Sequence, residues 1–198
     1  MTAPFKVINV IDKGKAVSEW ITPLESLLPK ISTTEGRLAQ NYSLENIKLK
    51  EHLSFDILVN QKNEIISFAG VYNGGRYPEG VYRVLNRTWV HEDYRVSHGA
   101  FLYLTSKYIL PVQLERLKEH LKLVFVSRER ITGRRFLLKW AQHQPHSHLW
   151  KVSEDFVQVV PNIEKKSCYQ YICSRSFSDV DWAPHKMTAA QWLKLIDE

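Results

Sequence analysis

Cysteine is scarce in this sequence: 198 residues carry only Cys168 and Cys173. The two lie five apart in a stretch with strand composition, where an odd spacing turns side chains to opposite faces. A disulfide between them is geometrically awkward, and reduced thiols are expected. Long apolar runs are missing as well; nothing approaches the roughly 18 consecutive apolar residues of a membrane-crossing helix. The first thirty residues alternate apolar and polar groups, without the charged start, apolar run and small-residue cleavage site of a secretory signal. These absences lead to the expectation of a soluble, cytoplasmic protein with no membrane partner. Internal repeats, low-complexity tracts and charge-rich, aromatic-poor segments are also lacking, which speaks against a disordered chain.

What is present suits a folded core. Six Trp, nine Tyr and eight Phe contribute to a 44% hydrophobic share, enough for one sizeable core and short for two, so a single domain over residues 1–198 is expected. The formal charge of +6 favours acidic partners: nucleic acid, an anionic surface or a phosphorylated cofactor. Its densest run, Arg128, Arg130, Arg134 and Arg135 around Thr132-Gly133, suits a phosphate-contacting face or a solvated helix surface. No helix-turn-helix, ribonucleoprotein motif or zinc finger accompanies it, so nucleic-acid binding ranks last among the functional readings. His143, His146 and His148 lie close together, but no cysteine or clear carboxylate completes a zinc set, and no metal is expected.

Periodicity gives an element order. Phe5–Ile11 reads as a strand, followed by a turn at Asp12-Lys13-Gly14. Val17, Trp20, Ile21, Leu24, Leu27 and Leu28 have helical spacing over Ala16–Leu28, with Pro23 expected to start a new turn or kink it. Residues 32–50 are expected to be partly helical. Phe55–Val59 and Ile65–Tyr72, joined by Asn60–Glu64, form the pattern of a hairpin. A loop over 73–80 leads to a strand, Val81–Val90, with Tyr82, Val84, Asn86, Thr88 and Val90 on one face. A helix over Ala100–Ile109 is expected to stop at Pro111, with a further helical run to His120. Leu123–Val126 suits a buried central strand, with Ser127 as the cap of an amphipathic helix through Trp140. Strands around Trp150–Val160 and Cys168–Ser174 and a helix over Thr188–Ile196 complete the chain. This order predicts an α/β (α+β) fold, a mixed sheet with helices on both faces.

The segment Trp89-Val90-His91-Glu92-Asp93-Tyr94-Arg95-Val96-Ser97-His98-Gly99-Ala100 resembles the coenzyme-binding motif of the GNAT acyl-CoA N-acyltransferases. In that family a strand ends in Val, an Arg follows, and Arg/Gln-x-x-Gly-x-Gly/Ala opens the next helix. The Val, the Tyr-Arg pair and the final Ala are in register, while His98 stands in place of the first Gly. Downstream, Ser127, Arg130, Gly133, Phe136, Leu137, Lys139, Ala141 and Gln142 follow the family's second motif, with Leu137 where a Tyr often protonates the departing thiolate. The resemblance covers roughly Phe55 to Trp140.

Several expectations come with the resemblance. The sheet would be mostly antiparallel and central, with acetyl-CoA as co-substrate and no metal. Val90, Arg95, Val96, Ser97, His98, Gly99, Ala100, Ser127 and Arg130 would hold the coenzyme, its pyrophosphate resting on backbone N–H groups at a helix start. The backbone N–H near Val90 would polarise the thioester, and Glu92 would be the candidate base, against its alternative as an ordinary partner of the following helix dipole. The acceptor would be a small-molecule or peptide amine. The rival reading is a protein of the same fold that has lost acyl transfer and acts as a binding or structural module. A homodimer through the late strands stays open.

Overall fold

The sequence between residues 52 and 72 alternates too little for a half-wet sheet, and the reason is burial. The computed structural model describes residues 4–12, 15–34, 49–73, 80–95, 104–118, 123–128, 133–144, 147–152, 157–159 and 168–175. In it β4 (His52–Asn60) is buried from Ser54 through Val59, and β5 (Ile65–Tyr72) from Ile66 onward. The two are antiparallel, as the hairpin pattern predicts, with register shifts between His52 and Ser54 and between Leu58 and Val59. Their turn is built by Asn60, whose Oδ1 accepts from the backbone N–H groups of Lys62 and Glu64, and Asn63 takes φ 60°, a conformation asparagine tolerates.

The chain divides into two compact units, one of residues 1–74 and 85–116, the other of 75–84 and 117–198. In the first, β1 (Phe5–Asn9) runs antiparallel to β4, from Phe5 opposite Asn60 to Asn9 opposite Asp56. The strand order is β1-β4-β5-β6, where β6 is Val81–Val90 and contributes Leu85 onward to this unit. A small hairpin of β2 (Ile11–Asp12) and β3 (Lys15–Ala16) brackets the turn expected there.

Helix α1 spans Ile21–Thr34, later than the predicted Ala16–Leu28. Ser18 ends the preceding turn by accepting the Trp20 N–H on Oγ and the Ile21 N–H on its carbonyl. Pro23 is thus the third residue of the helix, where no intrahelical N–H bond is required, and it neither divides nor restarts it. Pro29 is the proline inside the helix. Leu24, Leu28 and Ile31 form the buried stripe and pack with Ile11, Phe55, Ile57, Val59, Phe68 and Trp89. Each such buried aliphatic contributes about 1.5–3 kcal/mol.

The second predicted proline stop also differs. A π turn at Thr105–Ile109, with the Leu110 N–H on the Thr105 carbonyl, leads straight into α2 (Leu110–Leu117). Pro111 therefore lies inside a continuous helix. The widened turn lies immediately ahead of the proline, where a missing N–H would interrupt a regular α-ladder.

In the second unit β7 (Leu123–Arg128) is parallel to β6 through Val81↔Leu123, Tyr82↔Val124 and Arg83↔Phe125. The order here is β6-β7-β10-β8, with β10 at Cys168–Arg175 and β8 at Lys151–Val152; β9 (Val157–Val159) also pairs β10. The strand expected over Trp150–Val160 is thus two short pieces. Helix α3 (Gly133–Gln142) packs on β10, β8 and β7 and buries Leu137, Trp140 and Ala141. Trp140 meets Trp150 edge-on at 5.1 Å, and the Arg175 guanidinium lies 5.9 Å from the Trp150 ring. Ser127 is part of β7, opposite Ile172, rather than a helix cap. The observed architecture is a mixed, largely antiparallel α+β fold. No helix among the described residues is long and apolar enough to cross a membrane. The expected helix over Thr188–Ile196 lies outside the described residues, as do most of 32–50 and the 74–79 loop.

Candidate functional site

The end of β6 is shaped by local hydrogen bonds. Trp89 and Val90 are buried, Phe68 stacks on Trp89 at 5.3 Å, and the His91 N–H makes a bond to the Ile66 carbonyl. A single 3₁₀ turn, Glu92–Tyr94, follows at once. His91 caps it, its Nδ1 accepting the Asp93 N–H at 3.3 Å. Arg95 closes the turn in two ways: its N–H reaches the Glu92 carbonyl, and its Nε donates to the Val90 carbonyl at 2.7 Å. Partial burial lowers the Arg95 pKa from its ordinary value, which lies far above neutrality, so the side chain remains a cation. Tyr94 is held by Asn60 Nδ2 and by edge contacts to Phe5 and His91.

Val90 and Arg95, two residues singled out from the sequence, are therefore joined directly, five residues apart across one turn. Glu92 is in the same turn and exposed. Val96, Ser97, His98, Gly99, Ala100 and Arg130 lie outside the described residues. Ser127 belongs to the second unit, on β7. Leu137, where the resemblance has a Tyr, is fully buried.

A second group of polar residues was not singled out from the sequence. Asp56, on β4, is fully buried, and its carboxylate is the hub. Oδ2 accepts from Ser54 Oγ at 3.1 Å, Gln113 Nε2 at 3.0 Å and Arg116 Nη1 at 3.1 Å, while Oδ1 accepts from Arg116 Nη2 at 3.0 Å. The paired Arg bonds form a bidentate fork, the strongest geometry available to this pair. Gln113, also fully buried, donates from Nε2 to the Ala69 carbonyl as well, and its Oε1 accepts the Leu85 N–H at 3.2 Å.

That last bond belongs to a break in β6. Leu85 and Arg87 have φ of 51° and 55°, and Val84, Leu85 and Asn86 are buried in succession, so the predicted alternation of Tyr82, Val84, Asn86, Thr88 and Val90 on one face fails here. A left-handed conformation costs a side-chain-bearing residue roughly 1–2 kcal/mol. The Leu85 N–H is held by Gln113 and its carbonyl accepts Thr88 Oγ1 at 2.6 Å. Asn86 Nδ2 faces His52 Nε2 at 3.0 Å, and the His52 ring seats over Gly70, where a Cβ would lie 2.8 Å from Nε2. The sequence signal for this group was Asp56 itself, a lone acid inside an apolar strand.

No family model matches the chain, and no curated protein matches it. Solved structures do. An inferred acetyltransferase from Staphylococcus epidermidis superposes with a TM-score of 0.55 at 11% identity, over 88% of this chain and 99% of its own. One inferred to be an N-acetyltransferase, from Lactobacillus plantarum, gives 0.54 at 14% identity, over 89% and 100%. An acetyltransferase-like structure from Acinetobacter baylyi gives 0.54 at 12%, over 92% and 98%. These likenesses show that the chain has the fold of the GNAT N-acetyltransferases.

Proposed function

We propose that residues 1–198 act as one acyl-CoA-dependent N-acyltransferase domain that moves an acetyl group from acetyl-CoA to a small-molecule or peptide amine. The observation that carries this reading is the Val90–Arg95 turn, in which Arg95 is tied to the end of a buried strand ahead of the Val96–Ala100 segment, on an acyltransferase fold. On this reading Arg95, Val96, Ser97, His98, Gly99 and Ala100 bind the coenzyme phosphates, with Ser127 and Arg130 along the second motif. Val90 offers its N–H to the thioester carbonyl. The amine nitrogen attacks that carbon, the carbon–sulfur bond breaks, the amine proton leaves to a base, and the thiolate is protonated by water, since Leu137 has no proton to give. Glu92 is the candidate base. The proposal includes a cytoplasmic location.

Titration calorimetry with acetyl-CoA and with free CoA tests the reading first. Micromolar binding, followed by thiol release from acetyl-CoA with one member of a panel of amino acids, polyamines and amino-terminal peptides, supports it; no heat and no thermal shift at millimolar coenzyme sinks it. The rival, a module of the same fold without acyl transfer, draws on the buried apolar Leu137. It predicts no turnover with any amine.

A further inference from the structure

Within β6, Leu85 and Arg87 depart from extended strand geometry. Neither leucine nor arginine favours the left-handed conformation they adopt. Both backbone groups of Leu85 are occupied by side chains: the N–H by Gln113 Oε1 and the carbonyl by Thr88 Oγ1. Gln113 has no freedom to turn away, because its Nε2 is bonded to both Asp56 and the Ala69 carbonyl, and Asp56 is in turn gripped by the Arg116 fork. One fully buried amide thus connects β4, β5, β6 and α2.

The consequence runs along the strand. The left-handed turn at Leu85, clasped by Gln113, and the Ser67 Oγ bond to the Trp89 carbonyl at 2.8 Å together set the course of Asn86–Val90. The turn also directs Asn86 toward His52. We infer that Gln113 is a positioning residue for acyl transfer: it holds β6 in its broken course, and through it the Val90 backbone that meets the thioester. This rests on the acyltransferase reading above. Gln113 itself touches no substrate.

The test is Gln113→Met, which keeps length and removes both polar ends. Acetyl transfer from acetyl-CoA to the best amine of the panel is measured alongside hydrogen exchange at the Leu85 amide. A misplacement of about 1 Å costs on the order of 100-fold in rate, so kcat is expected to fall by roughly that factor with KM for acetyl-CoA within about twofold. The Leu85 amide is expected to exchange about tenfold faster or more. A folded Gln113→Met protein with wild-type kcat overturns the inference, whatever its stability. If that variant does not fold, Thr88→Val decides: it removes the other clasp on Leu85 without changing shape. A kcat drop of about tenfold with a preserved melting temperature supports the role, and wild-type kcat overturns it. A wild-type chain that moves no acetyl group overturns the acyltransferase reading and the positioning role together, whereas wild-type turnover matched by the variants overturns the positioning role alone.

Discussion

Between Leu85 and Arg95 the chain departs from regular strand geometry twice, and the two departures are secured differently. At Val90–Arg95 the bonds that shape the turn join residues two to five apart, His91 to Asp93, Tyr94 to His91, Arg95 to Glu92 and Val90, while Ile66 and Asn60 tie it to β5 and the end of β4. At Leu85–Thr88 the Thr88 clasp on the Leu85 carbonyl is local, but the other partners are distant in sequence, Gln113 being 28 residues from Leu85 and His52 34 from Asn86. The first departure is shaped mainly by local bonds and carries the exposed Glu92 and Asp93; the second is buried and depends mainly on tertiary contacts. A turn of the first kind can form before the sheet is complete. The second exists only when α2 is docked, so its disruption is felt across the first unit.

Cutting the hub of the buried end is the strongest way to break this contrast. Asp56→Ala leaves Gln113 Nε2 with one acceptor fewer, and Ser54 Oγ and the Arg116 fork without the carboxylate. Breaking a buried pair costs about 3–5 kcal/mol, and because the Arg116 side chain is 30% exposed and can turn to water, the low end is expected. Urea denaturation should show a loss near 3 kcal/mol. A loss under about 1 kcal/mol would mean that the hub is as dispensable as a surface pair.

Gly70 tests the same end by crowding. An alanine Cβ would press on the His52 ring, and the ring is confined by edge contacts to Phe55 at 5.6 Å and Tyr72 at 5.3 Å. Overpacking of this kind costs about 1–3 kcal/mol. Gly70→Ala should lower the urea midpoint accordingly, and His52→Ala in the same chain should recover part of the loss by opening the space. Failure of the double variant to recover anything would place the clash elsewhere.

The difference between the ends also explains what the sequence made legible. The β4–β5 hairpin, with its Asn-rich turn, and the Val90 to Arg95 spacing depend on residues a few positions apart, and both are readable. The effects of Pro23 and Pro111 depend on where the helix begins and on whether the preceding turn widens, and neither is written at the proline. Leu85 carries no mark of its left-handed conformation, since a glycine or asparagine there would have signalled it. Its N–H is held by an amide on α2, 28 residues away. Asp56 did carry a mark, an acid within Phe55-Asp56-Ile57-Leu58-Val59, and its full burial implies a dedicated partner. The identity of that partner could not be read from spacing, because Arg116 is 60 residues away.

The smallest effect on stability is expected at the exposed end. Arg95→Met removes the bond to the Val90 carbonyl while leaving the Arg95 backbone N–H on Glu92. A buried hydrogen bond from a charged group contributes about 1.5–3 kcal/mol, and because Arg95 is exposed, with water at hand to replace the guanidinium, the loss should fall well below the lower figure. Coenzyme affinity should respond far more. If Arg95 supplies a cation to the pyrophosphate, its removal should weaken acetyl-CoA binding about tenfold by calorimetry, the equivalent of roughly 1.4 kcal/mol. Arg95→Lys separates the two contributions. Lysine keeps the charge but not the Nε geometry, so retained affinity assigns the effect to charge and lost affinity assigns it to the clasp on Val90. Unchanged affinity in both variants would leave the local turn a structural device, and the phosphate contact would have to come from the residues that follow it.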